Sequence, residues 1–370
     1  MNADQFKVPF PTDMNSITGR IQAVDPVAYA RTRNFLDGAV SRLSPYISRG
    51  VISTRQVMEH VLERDLPFAQ VEKYIQELAW RDYWQQIWLH RGEAIDTDLR
   101  RPQSGVTNRQ MPLALIRANT GIAAIDDSIR ELYSGGYLHN HVRMYIAALA
   151  CNIGGSHWLL PARWMYYHLR DGDWASNALS WQWVAGSNSN KKYLANQDNI
   201  DKYCRSSQRG TFLDVSYDNL ASMEIPDVLS QPGKPELSLQ LPATSTISIE
   251  PRRKTLLYNY YNLDPHWHRQ EDANRILLLE PSVFTRYPVA PANIAFARQL
   301  AGNIPGIQLF VGEFTHLHRQ LAGSEIFFKE HPLNRHYQGN EEPRQWMFSC
   351  RGDFSSFFAF WKRGRRELNV

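Results

Sequence analysis

Between Asp25 and Tyr203 the apolar residues recur at helical spacing, broken only by short Gly, Pro and Ser interruptions and with almost no period-two alternation. Such a stretch packs helix on helix and offers no strands, so this part of the chain reads as all-α. Its clearest helix runs through Val71 to Trp88, where Val71, Tyr74, Ile75, Leu78 and Ala79 take the i, i+3, i+4, i+7, i+8 spacing of a buried stripe. A second helix is expected over Ala123 to Leu132, stopped by Gly135 and Gly136, and a third over Leu138 to Cys151. From Arg205 to Pro251 the periodicity fades, and Pro226, Pro232, Pro235, Pro242 and Pro251 punctuate a Ser/Thr-rich stretch with the composition of a linker. Beyond it the apolar runs Ile276 to Leu279, Ile307 to Val311 and Ile326 to Phe328 alternate with helical patterns at Ala292 to Leu300 and Phe314 to Leu321, implying a parallel sheet of about three strands. The first two runs are nearly uninterrupted, so both of their faces are expected to be buried. The expected fold is mainly α: an all-helical domain over 1–205, a linker over 206–251, and a small C-terminal α/β domain with a parallel sheet over 252–370.

Composition narrows the function classes. The three cysteines, Cys151, Cys204 and Cys350, are far apart and supply neither a disulfide framework nor a CxxC metal site, which suits a reducing cytoplasm. No metal site is expected, because His139 and His141 read as exposed and lack a third ligand at suitable spacing. The first residues lack the basic and apolar regions of a signal peptide, and no run approaches the ~20 apolar residues that span a bilayer. A formal net charge of +4 suits a polyanionic partner. Eleven Trp, 17 Tyr and 16 Phe, many beside charged residues, point to stacking on a flavin or on bases, or to the filling of a large helical core. No GxGxxG or Walker-type loop opens a helix in the C-terminal domain.

Three segments concentrate polar groups with flat rings. On the Val71 to Trp88 helix, Glu77, Arg81, Trp84 and Trp88 share a face away from the aliphatic stripe, with Trp80 at its border. Asn140, Arg143 and Met144 fall at i, i+3 and i+4 of another helix, and polar groups on a buried face need partners. The segment Asp171 to Trp183 holds two aspartates one residue apart, then Asn177, then Trp181-Gln182-Trp183. Upstream, Ser41 to Tyr46 sets two hydroxyls before a helix-like start, a workable cradle for a diphosphate. Taken singly, these patterns also suit a surface ion pair flanked by packing tryptophans, a histidine-containing helix start, and a turn leading into an N-capped helix.

Taken in order, the segments Ser41 to Tyr46, Glu77 to Trp84, Thr120-Gly121 with Asp126, Gly136 to Met144 and Asp171 to Trp183 resemble the FAD-binding domain of the photolyase/cryptochrome superfamily, over about residues 25–205. The resemblance implies that Tyr29 and the turn Val40, Ser41, Arg42, Leu43 and Ser44 hold the FAD phosphates and ribityl chain. Arg81, Arg143, Asp171, Asp173 and Asn177 then surround the cofactor, with Asn177 facing the flavin. Glu77, Trp80, Asn140, Met144 and Trp183 match positions lining the lesion pocket, and Trp181 and Trp158 match the two inner tryptophans of an electron relay. The implied activity is a deoxyribodipyrimidine photo-lyase reaction, blue-light splitting of cyclobutane pyrimidine dimers in UV-damaged DNA. The alternatives are a cryptochrome-like photoreceptor and a light-independent nucleic-acid-binding flavoprotein.

The chain also departs from the family pattern. Members that repair the (6-4) photoproduct carry histidines where Asn140 and Met144 stand, so a dimer-type pocket is implied. Three cysteines cannot supply the four ligands of the family's iron–sulfur branch. No tryptophan lies between Gly92 and Gly136 for the outermost relay position. His141 replaces a usual arginine, and a phosphate-contacting arginine is absent before Asn196. The usual members carry an α/β antenna domain ahead of this region, so a short form is expected.

Overall fold

The computed structural model describes residues 10–321 and 323–368. It contains many helices and one five-stranded parallel sheet, and the chain separates into two compact units. One unit holds 25–40 and 91–237; the other holds 10–24, 41–90 and the described residues from 238 onward. This grouping differs from the expected boundaries at 205 and 251. The helix Phe68–Arg91 packs with residues 344–361, more than 250 positions away, and no local pattern announces that.

In the first unit the helices Ala123–Gly135, Asn140–Ala148, Leu159–His168, Trp174–Ala185 and Gln197–Cys204 enclose a core rich in large rings, with Trp158, Trp164 and Trp174 fully buried. Local chemistry sets the ends. Asp25 and Asp173 N-cap their helices, and Gly136 ends Ala123–Gly135 in the left-handed region at φ +70°, where an added Cβ would meet the Arg170 side chain at 2.7 Å. The Asn140–Ala148 helix loosens into one π turn over Leu149–Ile153, a feature the periodicity does not reveal. The first part of the expected linker belongs to this unit: it forms the helix Tyr217–Ala221, and β1 (Met111–Pro112) pairs antiparallel with β2 (Pro232–Gly233).

The second unit carries β3 (Lys254–Tyr258), β4 (Ala273–Leu279), β5 (Ile307–Val311), β6 (Ile326–Lys329) and β7 (Asn340–Glu342), all parallel and ordered β5-β4-β3-β6-β7. The sheet therefore has five strands, two more than expected. β4 is buried almost throughout, as expected, but β5 is mostly half-buried because it is an edge strand. The second part of the linker covers that edge: the Gln308 side chain bonds both the N–H and the carbonyl of Ser248, while Ile247 and Ile249 pack against the core.

Strand order reverses between β3 and β6, and Asn259, Tyr260, Glu280, His331 and Tyr337 gather beyond the strand ends there. Their side chains nearly fill the crevice, leaving a cavity of about 20 Å³, room for roughly one water. Glu280 anchors the cluster. Its buried carboxylate accepts from the Phe314 N–H at 2.9 Å, His336 Nε2 at 2.8 Å and the Tyr337 hydroxyl at 2.9 Å.

Candidate functional site

In the first unit, Asn140 opens its helix behind the N-cap His139, whose Nδ1 accepts from the His141 N–H at 3.2 Å. Asn140 is exposed, and Arg143 and Met144, one turn on, are half-buried. Arg143 folds back on its own helix start: Nε and Nη2 donate to the Leu138 carbonyl at 2.9 and 2.8 Å. Its Nη2 also reaches both oxygens of Asp171, at 3.0 and 2.8 Å. Asp171 is nearly inaccessible, with 3 % of its side chain exposed against 21 % for Arg143, so the guanidinium compensates a carboxylate that burial would otherwise penalise.

Asp173 does what the turn-and-cap pattern suggests, accepting the Ser176 N–H at 2.7 Å at the head of Trp174–Ala185. One turn further, buried Asn177 donates Nδ2 to the Ala162 carbonyl at 2.8 Å, which fixes its amide plane. Trp181 and Trp183 stand two residues apart and so on nearly opposite helix faces: Trp181 is buried, and Trp183 is 40 % exposed with Tyr193 at 6.2 Å. Trp158 is fully buried, its Nε1 donating to Asp98 at 2.8 Å, and the His157 ring stands 5.8 Å away. Tyr29, on the helix Pro26–Thr32, and Val40 are half-buried.

The polar demand of this region fits a polar cofactor. Ser176 Oγ and Trp181 Nε1, on the helix of Asn177, and Arg163 Nε, on the helix Leu159–His168 to which Asn177 bonds, are buried without a hydrogen-bond partner among the described residues. Buried polar atoms are seldom left so. His139 is buried rather than exposed, correcting the sequence reading, and the His141 ring sits 4.9 Å from Tyr145 and 4.7 Å from Tyr203. Burial, with Arg33 nearby, lowers the His141 pKa to about 4. The basic pairs Arg100-Arg101 and Lys191-Lys192 meet in one exposed loop region, joined through Arg101 to Asn190 at 2.8 Å and Lys192 to the Ser104 carbonyl at 2.9 Å. Ser189 in the same loop bonds the Trp183 carbonyl at 2.8 Å.

In the second unit, Ser41 to Ser44 lead into the short helix Ser44–Ser48, which no side chain caps. Arg42 adopts φ +52°, a left-handed conformation that costs a non-glycine residue energy and recurs where backbone must meet a ligand. Leu43 is buried and anchors the turn. Glu77, Trp80 and Arg81 are half-buried on Phe68–Arg91. Arg81 donates to Ser48 Oγ at 2.8 Å, and Glu77 pairs with Lys73 one turn back at 2.8 Å, a partner the motif reading missed.

One face of Trp80 is covered: Phe357 lies flat on it, ring centroids 3.8 Å apart and planes 8° off parallel. Behind these rings Asp82 is fully buried, accepting from Thr54 Oγ1 and the Met347 N–H, each at 2.7 Å. Desolvation raises its pKa above the usual carboxylate range. No group of three or more His, Cys, Asp or Glu among the described residues could hold a metal ion, and no described helix is long and apolar enough to cross a membrane.

Residues 74–245 match the family model described as the FAD-binding domain of DNA photolyase. A deoxyribodipyrimidine photo-lyase of Alkalihalophilus pseudofirmus is 30% identical over 148 residues, 39% of this chain and 31% of that protein. One from Thermus thermophilus is 36% identical over 167 residues, 43% of this chain and 38% of that protein. Cryptochrome DASH of Danio rerio is 32% identical over 168 residues, 43% of this chain and 32% of that protein. The chain thus spans about a third of the length of these curated relatives, and all three alignments cover less than half of it.

Proposed function

The chain belongs to the photolyase/cryptochrome superfamily through its FAD-binding domain, and on that premise we propose that it is a light-driven lyase that splits cyclobutane pyrimidine dimers in UV-damaged DNA. FAD, when bound, would supply light-driven electron transfer to the dimer and back, with no net redox change. Arg143, Asp171 and Asp173 orient the polar edges of the cofactor, and neutral Asn177 leaves added negative charge on the flavin unopposed by a carboxylate. Tyr29, Val40, Ser41, Arg42, Leu43, Ser44 and Arg81 are assigned to its phosphates and ribityl chain. By resemblance to the family, Glu77 and Asn140 are each assigned to the polar edges of an extruded dimer, and Trp80, Trp183 and Met144 to its bases, as flat or soft surface. Phe357 occupies one face of the Trp80 ring, so no base can stack on that side. Trp181 and Trp158 form the inner part of an electron relay, with Trp158 held by Asp98.

The observation that carries this reading is the helix start at Asn140: Arg143 is locked on buried Asp171, and the same turns present Asn140 and Met144 where a (6-4) enzyme needs histidines. The test is an oligonucleotide containing a cyclobutane dimer, incubated with FAD-loaded protein under blue light and in darkness. Dimer loss in the light alone is expected. Photoreduction of the flavin without dimer loss would overturn the repair reading in favour of a photoreceptor.

A further inference from the structure

The helix Phe357–Gly364 lies outside the matched residues 74–245, and its spacing divides it into two faces. Phe357, Phe360, Trp361 and Gly364 are buried at i, i+3, i+4 and i+7. Gly364 permits the close approach, because a Cβ there would meet the Phe348 ring at 2.3 Å. Through Phe357 this inner face bears directly on Trp80.

The outer face is cationic. Phe358 is 69 % exposed, the highest value for a large hydrophobic side chain among the described residues, and Lys362, Arg363, Arg365 and Arg366 are all exposed. Arg365 pairs with Glu72 at 3.1 Å. Lys362, Arg363 and Arg366 have no ion pair among the described residues. The neighbouring acid, Glu367, is engaged elsewhere: its carboxylate accepts the Ser349 N–H and hydroxyl at 2.6 and 2.9 Å and the Cys350 N–H at 3.1 Å. Residues 351–370 carry five basic against two acidic side chains, a net +3 where the whole chain has +4.

We propose that the outer face of this helix is a second DNA contact, in which Lys362, Arg363 and Arg366 neutralise backbone phosphates and Phe358 stacks on an unpaired base. The proposal rests on the reading of the chain as a DNA repair enzyme. Cations alone suit any polyanion; an exposed ring among them suits a strand with unstacked bases. The inner face couples this contact to Trp80, so the helix that touches the backbone also backs a ring assigned to the lesion.

The test is the salt dependence of DNA binding by the full-length FAD-loaded protein and by the K362A/R363A/R366A triple variant, on dimer-containing and undamaged oligonucleotides. Three lost phosphate contacts lower the slope of log K against log salt by about 2.7 on duplex or about 2 on single strands. Between 50 and 200 mM salt the wild type then loses roughly 40-fold more duplex affinity than the variant. Both DNAs should show the change equally, since phosphate contacts carry no sequence or damage information. FAD content and melting temperature report whether the variant is folded, and the three single substitutions, each lowering the slope by about 0.9 on duplex, replace it if it is not.

An unchanged slope in a variant of a repair-active protein overturns the proposal and leaves the repair reading standing. The same holds if these residues govern binding to phosphatidylserine vesicles instead of DNA. A wild type that neither repairs nor binds DNA removes the repair reading, and the proposal with it.

Discussion

Replacing Phe357 with alanine removes a side chain that is 3 % exposed, lies 3.8 Å from Trp80 in a near-parallel stack, and also borders Tyr83 at 5.9 Å and Trp361 at 6.5 Å. Truncating a buried phenylalanine costs about 3–5 kcal/mol, part from lost transfer energy and part from the cavity left behind. The stacked pair adds about 0.5–1.5 kcal/mol that neither ring supplies alone. Urea denaturation of Phe357→Ala, Trp80→Ala and the double variant separates these quantities. The expected result is a loss of about 3–5 kcal/mol for Phe357→Ala and a coupling energy of roughly 1 kcal/mol with Trp80. A loss below about 1 kcal/mol with no coupling would refute the packing and with it the view that Phe357 fixes the Trp80 ring.

Glu77→Ala and Asn140→Ala should retain FAD while lowering light-driven dimer repair. The partly exposed Glu77–Lys73 pair contributes only about 0.3–0.5 kcal/mol, so FAD absorbance and melting temperature should barely change while repair falls. Asp171→Ala leaves the Arg143 guanidinium its Leu138 carbonyl but no counter-charge, and the loss of the charge-assisted contacts should cost about 2–3 kcal/mol and weaken FAD retention, read by denaturation and by flavin released on dilution. His336 has a raised pKa, chiefly from its hydrogen bond to Glu280. Its stabilisation is complete below the ordinary histidine pKa of ~6.5 and is lost as pH rises through the raised value, so Glu280→Gln should be more destabilising relative to wild type at acidic than at alkaline pH. Equal destabilisation at both would contradict the pairing.

The parts of this fold legible in the sequence are those with strong local periodicity. The helix Phe68–Arg91 announces itself through Val71, Tyr74, Ile75, Leu78 and Ala79, all of which are buried. β4 carries the apolar run Ile276 to Leu279 and lies inside the sheet. β3 offers only a short Leu-Leu-Tyr core, and β7 is Asn-Glu-Glu, polar and at an edge, so neither carries a readable pattern. β5 reads as doubly buried yet is an edge strand, because apolar content does not tell which strands lie beside it. The same limit applies at the site. The cap at Asp173 follows from adjacent residues. The Trp80–Phe357 stack and the Asp82–Met347 bond each join positions more than 260 apart, so one sequence alone holds no sign of them.

Flavin content tests the central claim most directly. Purified full-length protein should hold noncovalent FAD in equimolar amount, released on denaturation and identified by its absorption spectrum. It should lose that flavin when Asp171 and Asn177 are both replaced by alanine. Colourless protein that takes up no FAD on reconstitution would contradict the account.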